Sequence, residues 1–155
     1  MLRPASRYAL LALTCPTDLA GAAWVLLVRL LWGRSLDARD GVLVVVLRAE
    51  SWPTRTWYRG WGGTTIGHAV MLADDDPHVL AHELVHVAQV EAAAMLGVLL
   101  AGVAAAAGAS WCVALLVWAL TPAASYAGAV LAALLRGRAP YRENVLEAAA
   151  YAETR

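Results

Sequence analysis

Residues 74–91 have the sequence DDDPHVLAHELVHVAQVE, which predicts the central helix of the fold. Its three aspartates and Pro77 predict a helix start. A short acidic side chain caps the first N–H groups, a proline fits the first turn, and negative charge is favourable at the positive end of a helix. The apolar residues that follow predict that this helix packs against a core.

The same helix carries the motif H-E-x-x-H, His82-Glu83-Leu84-Val85-His86. Side chains four residues apart lie on one helix face, so both imidazoles can reach one metal ion. Glu83 lies one position further round, where a carboxylate can take a proton from a zinc-bound water molecule. The motif predicts one zinc ion held by His82 and His86, with Glu83 as the catalytic base of a metallopeptidase. The alternative is a core helix with two partly buried histidines.

A catalytic zinc site needs a third protein ligand besides water. No third histidine follows at the spacing H-x-x-G-x-x-H, and Glu91 lies more than a turn beyond His86, too far along to close the site. Glu143 and Glu147 lie four residues apart on a predicted final helix and therefore share a face. From the spacing alone, either carboxylate could be the third ligand.

The rest of the chain predicts a single α+β domain that is mainly helical. Val42 to Leu47 and residues 64–72 predict two strands, and a Trp-rich irregular connection lies between them. Residues 33–40 are polar and predict a break. Pro122 is expected to kink or break the second arm of an apolar hairpin that turns at residues 108–110. The expected organisation is an apolar helix (19–32), a small sheet (42–72), the zinc helix (77–91), the apolar hairpin (92–135) and a final helix (141–153).

Composition limits the classes of partner. The 12 basic residues balance the 12 acidic ones, and the net charge of zero favours no nucleic acid as a partner. Cys15 and Cys112 lie in apolar stretches and are expected to be buried thiols, not a disulfide. Residues 1–16 have the basic start and apolar run of a signal peptide but no small-residue cleavage site, so we expect this segment to be retained.

The apolar hairpin allows a membrane-embedded or a soluble interpretation. No charged residue occurs in residues 92–135, so neither arm has a polar face, and a short chain has little left with which to cover both arms. We therefore expect a membrane protein, in the inner or cytoplasmic membrane. Arginines follow both the first apolar segment and the hairpin, which predicts a zinc site on the cytoplasmic side. The alternative is an alanine-rich soluble helical core.

Two segments resemble a known class of enzymes. HELVHVAQ (82–89), then an apolar segment, then YRENVLEAAAY (141–151) resembles the membrane metallopeptidases of the HtpX and CAAX-prenyl-protease type. Residues 64–89 are also similar to a set of small H-E-x-x-H proteins in which a glycine-containing strand precedes the zinc helix.

The resemblance implies a zincin-like core, a peptide or protein substrate, and Glu147 as the third zinc ligand, since Glu147 to Ala150 match the family's E-x-x-A pattern. The family's next residue is an aspartate that orients a zinc histidine, and here it is Tyr151. Tyr151, Asn144 or a backbone carbonyl would have to replace it. The candidates for stabilising the transition state are Tyr141, Arg142, Tyr151 and His68. The rival functions are a membrane protein with a structural or vestigial metal site, and a zinc hydrolase that acts on a bond other than a peptide.

Overall fold

The structure is a computed structural model that describes residues 15–59, 62–140 and 143–154. The chain forms two compact units, which divide between Val87 and Ala88 inside one long helix. The elements in chain order are α1 (Cys15–Leu31), β1 (Gly33–Arg39), β2 (Val42–Leu47), α2 (Trp52–Arg55), β3 (Gly63–Ile66), β4 (Ala69–Leu72), α3 (Pro77–Ala106), α4 (Trp111–Leu135) and α5 (Val145–Glu153).

The first unit is built on a four-stranded sheet in the order β1-β2-β4-β3. The β1–β2 and β3–β4 pairs are antiparallel, whereas β2 and β4 run parallel. The two central strands are almost fully buried because they are covered on both faces. β3 is an edge strand, with one side of its backbone unpaired within the sheet.

Alternating side chains of the central strands feed two separate cores. On one face Val45, Leu47 and Met71 pack with Val25 and Val28 of α1. On the other face four residues of β2 and β4 pack with residues of the first turns of α3: Val42, Val44, Val70 and Leu72 with Val79, Leu80, Leu84 and Val87. The sheet therefore fixes the part of α3 that carries the H-E-x-x-H motif.

The expected polar break at residues 33–40 is wrong, because Gly33–Arg39 forms strand β1. Asp40 and Gly41 both have positive φ, of 50° and 80°, as a two-residue hairpin turn requires. The sequence pattern did not predict this strand, because an edge strand needs few apolar residues. Its polar side chains face solvent, while its backbone pairs only with β2.

The second unit contains the rest of α3, then α4 and α5. Gly108, with φ of 87°, forms the turn between α3 and α4, and the Ser110 hydroxyl caps α4 by accepting a hydrogen bond from the Val113 N–H at 3.4 Å. Pro122 does not break α4, which runs unbroken through it. The missing N–H removes one helical hydrogen bond, and the neighbouring Thr121 hydroxyl donates to the Val117 carbonyl at 2.6 Å.

Two of the described helices are long and apolar enough to cross a membrane. α3 has 30 residues and α4 has 25, which correspond to about 45 and 38 Å against a hydrocarbon thickness of about 30 Å. Only 22% and 17% of their most apolar windows are buried within the structure. The expectation of a buried Cys112 thiol is wrong for the same reason, since Cys112 is exposed on α4. The side chain of Cys15 lies outside the described part of the chain.

Replacing Gly21 with alanine is expected to destabilise the first unit. A Cβ added at Gly21 of α1 would overlap the Ile66 carbonyl oxygen at the end of β3, so helix and strand would have to separate. Overpacking of this kind costs about 1–3 kcal/mol. Thermal unfolding in detergent, followed by circular dichroism, should show a lower midpoint for Gly21→Ala. Gly102→Ala is the control, because no atom lies within 4 Å of a Cβ at Gly102, and an equal loss in both variants would contradict the assignment.

Candidate metal centre

The two histidines of the motif face each other on α3. The Nε2 atoms of His82 and His86 lie 3.2 Å apart, and the rings are nearly perpendicular, with centroids 4.8 Å apart. Two atoms bound to one tetrahedral zinc at 2.0–2.1 Å lie about 3.3 Å from each other. The two imidazoles therefore already have the separation that a shared zinc ion requires.

The start of α3 is anchored to the sheet. Asp76 accepts a hydrogen bond from the His78 N–H at 2.8 Å, which caps the helix. Arg39, at the end of β1, binds Asp75 at 2.6 Å and Asp37 at 3.1 Å. The hydrogen bond from Arg39 lowers the pKa of the Asp75 carboxyl, so the pair stays charged at neutral pH. These contacts fix the turn from which the motif begins.

Glu83 is buried, with 4% of its surface exposed, and lies against β3. Its Oε2 accepts a hydrogen bond from the Thr65 hydroxyl at 2.7 Å. A Cβ added at Gly63 would lie 2.9 Å from Glu83 Oε1, so the carboxylate also lies directly over that glycine. A buried carboxylate requires such a partner, since desolvation without one is costly.

The third candidate ligand lies at the start of α5. Asn144 is the N-cap of this helix, and its side-chain oxygen accepts hydrogen bonds from the Leu146 and Glu147 N–H groups, both at 3.0 Å. The side-chain nitrogen of Gln89, three residues after His86, donates to the Leu146 carbonyl at 2.9 Å. The cap and this contact with α3 hold the peptide unit that joins Leu146 to Glu147.

His82, His86 and Glu147 form a group of ligands that could hold a metal ion. One ligand atom from each residue lies within 4.8 Å of the others, and all three side chains are half-buried. Two histidines and one glutamate make a donor set that zinc takes in catalytic sites. The separation of ligand atoms around a bound zinc is shorter, so ion binding is expected to draw the carboxylate inward.

The other predicted residues have different positions. Glu143 is exposed and accepts a hydrogen bond from the Ala139 N–H at 2.9 Å, and it is not part of the group of three ligands. Asn144 acts as a helix cap and also donates to the Pro140 carbonyl at 2.7 Å, so its amide orients the backbone of Glu147. Tyr151 lies on α5 with 48% of its surface exposed. Tyr141 and Arg142 lie outside the described residues.

His68, a candidate for transition-state stabilisation, lies in the turn between β3 and β4. Its backbone N–H and its Nδ1 both bind Asp18 Oδ1, at 2.9 and 2.8 Å. Gly67 precedes it with φ of 57°, and a Cβ there would lie 2.5 Å from the same carboxylate oxygen. These contacts give His68 a structural role, which is to attach the β3–β4 turn to α1.

Thr65 and Gln89 contact the site, and sequence analysis did not select either of them. A threonine in a strand and a glutamine on a helix are common, so neither residue type carries a signal of its own. The position of Gln89 does indicate a place near the site, because it lies three residues beyond His86 and hence near the same helix face.

Comparisons with models of known protein families, with characterised proteins and with solved structures find no match to this chain.

Proposed function

We propose that the protein is a zinc-dependent metallopeptidase that works at or in a membrane. The observation that carries the proposal is the group His82, His86 and Glu147 on α3 and α5, with the Glu83 carboxylate next to it in sequence. The family resemblance of the H-E-x-x-H segment and of the E-x-x-A segment favours the same ligands. A structural zinc site would be closed by four protein ligands, whereas three protein ligands leave one position for water.

Zinc bound at this site would activate a water molecule and polarise the carbonyl group of the scissile bond. Glu83 would accept a proton from the water molecule whose oxygen attacks the carbonyl carbon. Glu83 then gives the proton to the nitrogen of the leaving amine as the C–N bond breaks, so it ends the cycle as the carboxylate with which it began. The mechanism requires one oxygen of Glu83 to accept this proton while the hydrogen bond from Thr65 holds the carboxylate in place.

The membrane part of the proposal is supported by the surface of α3 and α4. A buried core helix of a soluble protein would have most of its apolar window covered, and here only 22% and 17% of the two windows is buried. The exposed side chains include Leu99, Val103, Leu115 and Leu135. Arg136 and Arg138 follow α4 directly. Because arginine is enriched on the cytoplasmic side of membranes, these residues favour a cytoplasmic position for this end of α4, and we propose the same side for the zinc site.

Removal of the metal tests the function. The detergent-purified protein, incubated with a peptide library and analysed by mass spectrometry, is expected to give new cleavage products. These products should disappear after treatment with 1,10-phenanthroline and return when about one equivalent of zinc is restored, because three protein ligands hold a single ion. Cleavage that survives complete zinc removal would refute the proposal. A metal-loaded protein that cleaves no peptide would favour the rival with a non-catalytic site.

A further inference from the structure

The edge strand β3 holds the predicted general base. Thr65 and Gly63 lie two residues apart and therefore on the same face of this strand. Both contact Glu83, Thr65 through its hydroxyl at 2.7 Å and Gly63 through the space where a Cβ would be. The Thr65 hydroxyl also lies 3.2 Å from the backbone carbonyl of Glu83.

The two oxygens of the Glu83 carboxylate have different surroundings. Oε2 receives the Thr65 hydrogen bond, whose length is that of a strong O–H···O interaction with a charged acceptor. Oε1 lies over Gly63, where a methyl group would be 2.9 Å away. The edge strand thus contacts both oxygens of the Glu83 carboxylate.

We propose that Thr65 is a positioning residue for the general base Glu83. The proposal rests on the proposed function, since it assigns a role in that reaction. A glutamate between two zinc ligands can rotate toward the ion and bind it directly. The hydrogen bond from the Thr65 hydroxyl to Oε2 restrains this rotation.

The test uses substitutions on the two faces of the same strand. Thr65→Val removes the hydroxyl at nearly constant volume, and Thr65→Ser restores it. Thr64→Val makes the identical change one residue earlier, on the opposite face of β3, and serves as the control. Each variant is measured for zinc content, for peptide turnover, and for affinity toward acetohydroxamate, a zinc chelator whose hydroxyl donates to a neighbouring carboxylate.

Thr65→Val is expected to keep its zinc, to bind acetohydroxamate about tenfold more weakly, and to lose about tenfold in kcat with an unchanged KM, as expected for one hydrogen bond to a charged group. Thr65→Ser should recover both quantities, and Thr64→Val should match the wild type. If Thr65→Val behaves like Thr64→Val in both measurements, the proposal for β3 is overturned while the zinc peptidase stands.

Failure of the underlying function gives a different pattern. If Glu83→Gln leaves acetohydroxamate affinity and turnover unchanged, Glu83 is not beside the reacting water. Absence of zinc from the wild type removes the reaction altogether. Either result overturns the proposed function, and the role of Thr65 with it.

Discussion

Replacing Glu83 with glutamine is expected to abolish peptide hydrolysis while the zinc content stays at the wild-type level. Glutamine has the shape of glutamate, and its side-chain oxygen can still accept the Thr65 hydrogen bond, so the variant should fold with α3 in place. Its neutral amide cannot take a proton from water. General acid–base catalysis contributes about 100- to 10,000-fold, and kcat/KM should fall by that factor.

A matched control separates loss of the base from damage to the helix. Glu91 lies on the same helix and is also buried, with 9% of its surface exposed against 4% for Glu83. Glu91→Gln makes the same chemical change more than a turn beyond His86, and it should retain most of the activity. Turnover by Glu83→Gln within a few-fold of the wild type would contradict the mechanism. Equal loss in both variants would show that a buried charge in α3 is needed for folding.

Replacing Glu147 with alanine is expected to weaken zinc binding by more than about 100-fold. The loss of an outer-shell partner already costs about 10- to 100-fold in metal affinity, and the loss of a direct ligand costs more. Competition with a chromophoric chelator measures the affinity. Because the backbone of α5 is capped by Asn144 and held by Gln89, the substitution should leave the helix in place.

Glu143→Ala is the control for this experiment. It removes a carboxylate four residues earlier, in an exposed side chain that bonds to the Ala139 N–H. Zinc affinity should stay close to that of the wild type. If Glu143→Ala loses the metal and Glu147→Ala keeps it, the third ligand is Glu143 and not Glu147. If both variants keep it, the third ligand is on another element and α5 is not part of the centre.

The fold class could be predicted from the sequence, and the mixed α+β, mainly helical architecture is confirmed. The strongest signals were local and chemical. The aspartates before Pro77 indicated a helix start, and α3 begins at Pro77. The β-branched run from Val42 to Leu47 indicated a buried strand, and this strand is central in the sheet. The zincin-like core stays a prediction.

The parts that could not be predicted depend on contacts between distant residues. β1 is polar because it lies at an edge of the sheet, so the alternation of apolar and polar residues along it is weak. The pair Asp40-Gly41, which is typical of a hairpin turn, is the one local signal that indicates this strand. The final helix begins at Val145 and not at residue 141, because Asn144 caps it. The predicted helix over residues 141–153 included Asn144, but apolar periodicity alone does not distinguish a capping residue from a helical one.

The candidate site divides in the same way. H-E-x-x-H predicts a pair of ligands because four residues make one helical turn, and the 3.2 Å separation of the imidazoles follows from that geometry. The spacing left Glu143 and Glu147 equal, and only the family resemblance favoured Glu147, which the structure includes in the group of three ligands. Thr65 had no signal in the sequence, because its contact with Glu83 arises from the pairing of β3 with β4 and the packing of α3 on that sheet.

The zinc content of the purified wild-type protein shows whether the H-E-x-x-H motif belongs to a metal centre. The protein should be prepared in detergent without added chelator and analysed by inductively coupled plasma mass spectrometry, with His82→Ala prepared in parallel. We expect about one zinc per chain in the wild type, since two histidines and one glutamate hold a single ion, and almost none in His82→Ala. A wild type that holds no zinc, even after dialysis against the metal, would contradict the assignment of His82, His86 and Glu147 as zinc ligands, and so would equal zinc in both proteins.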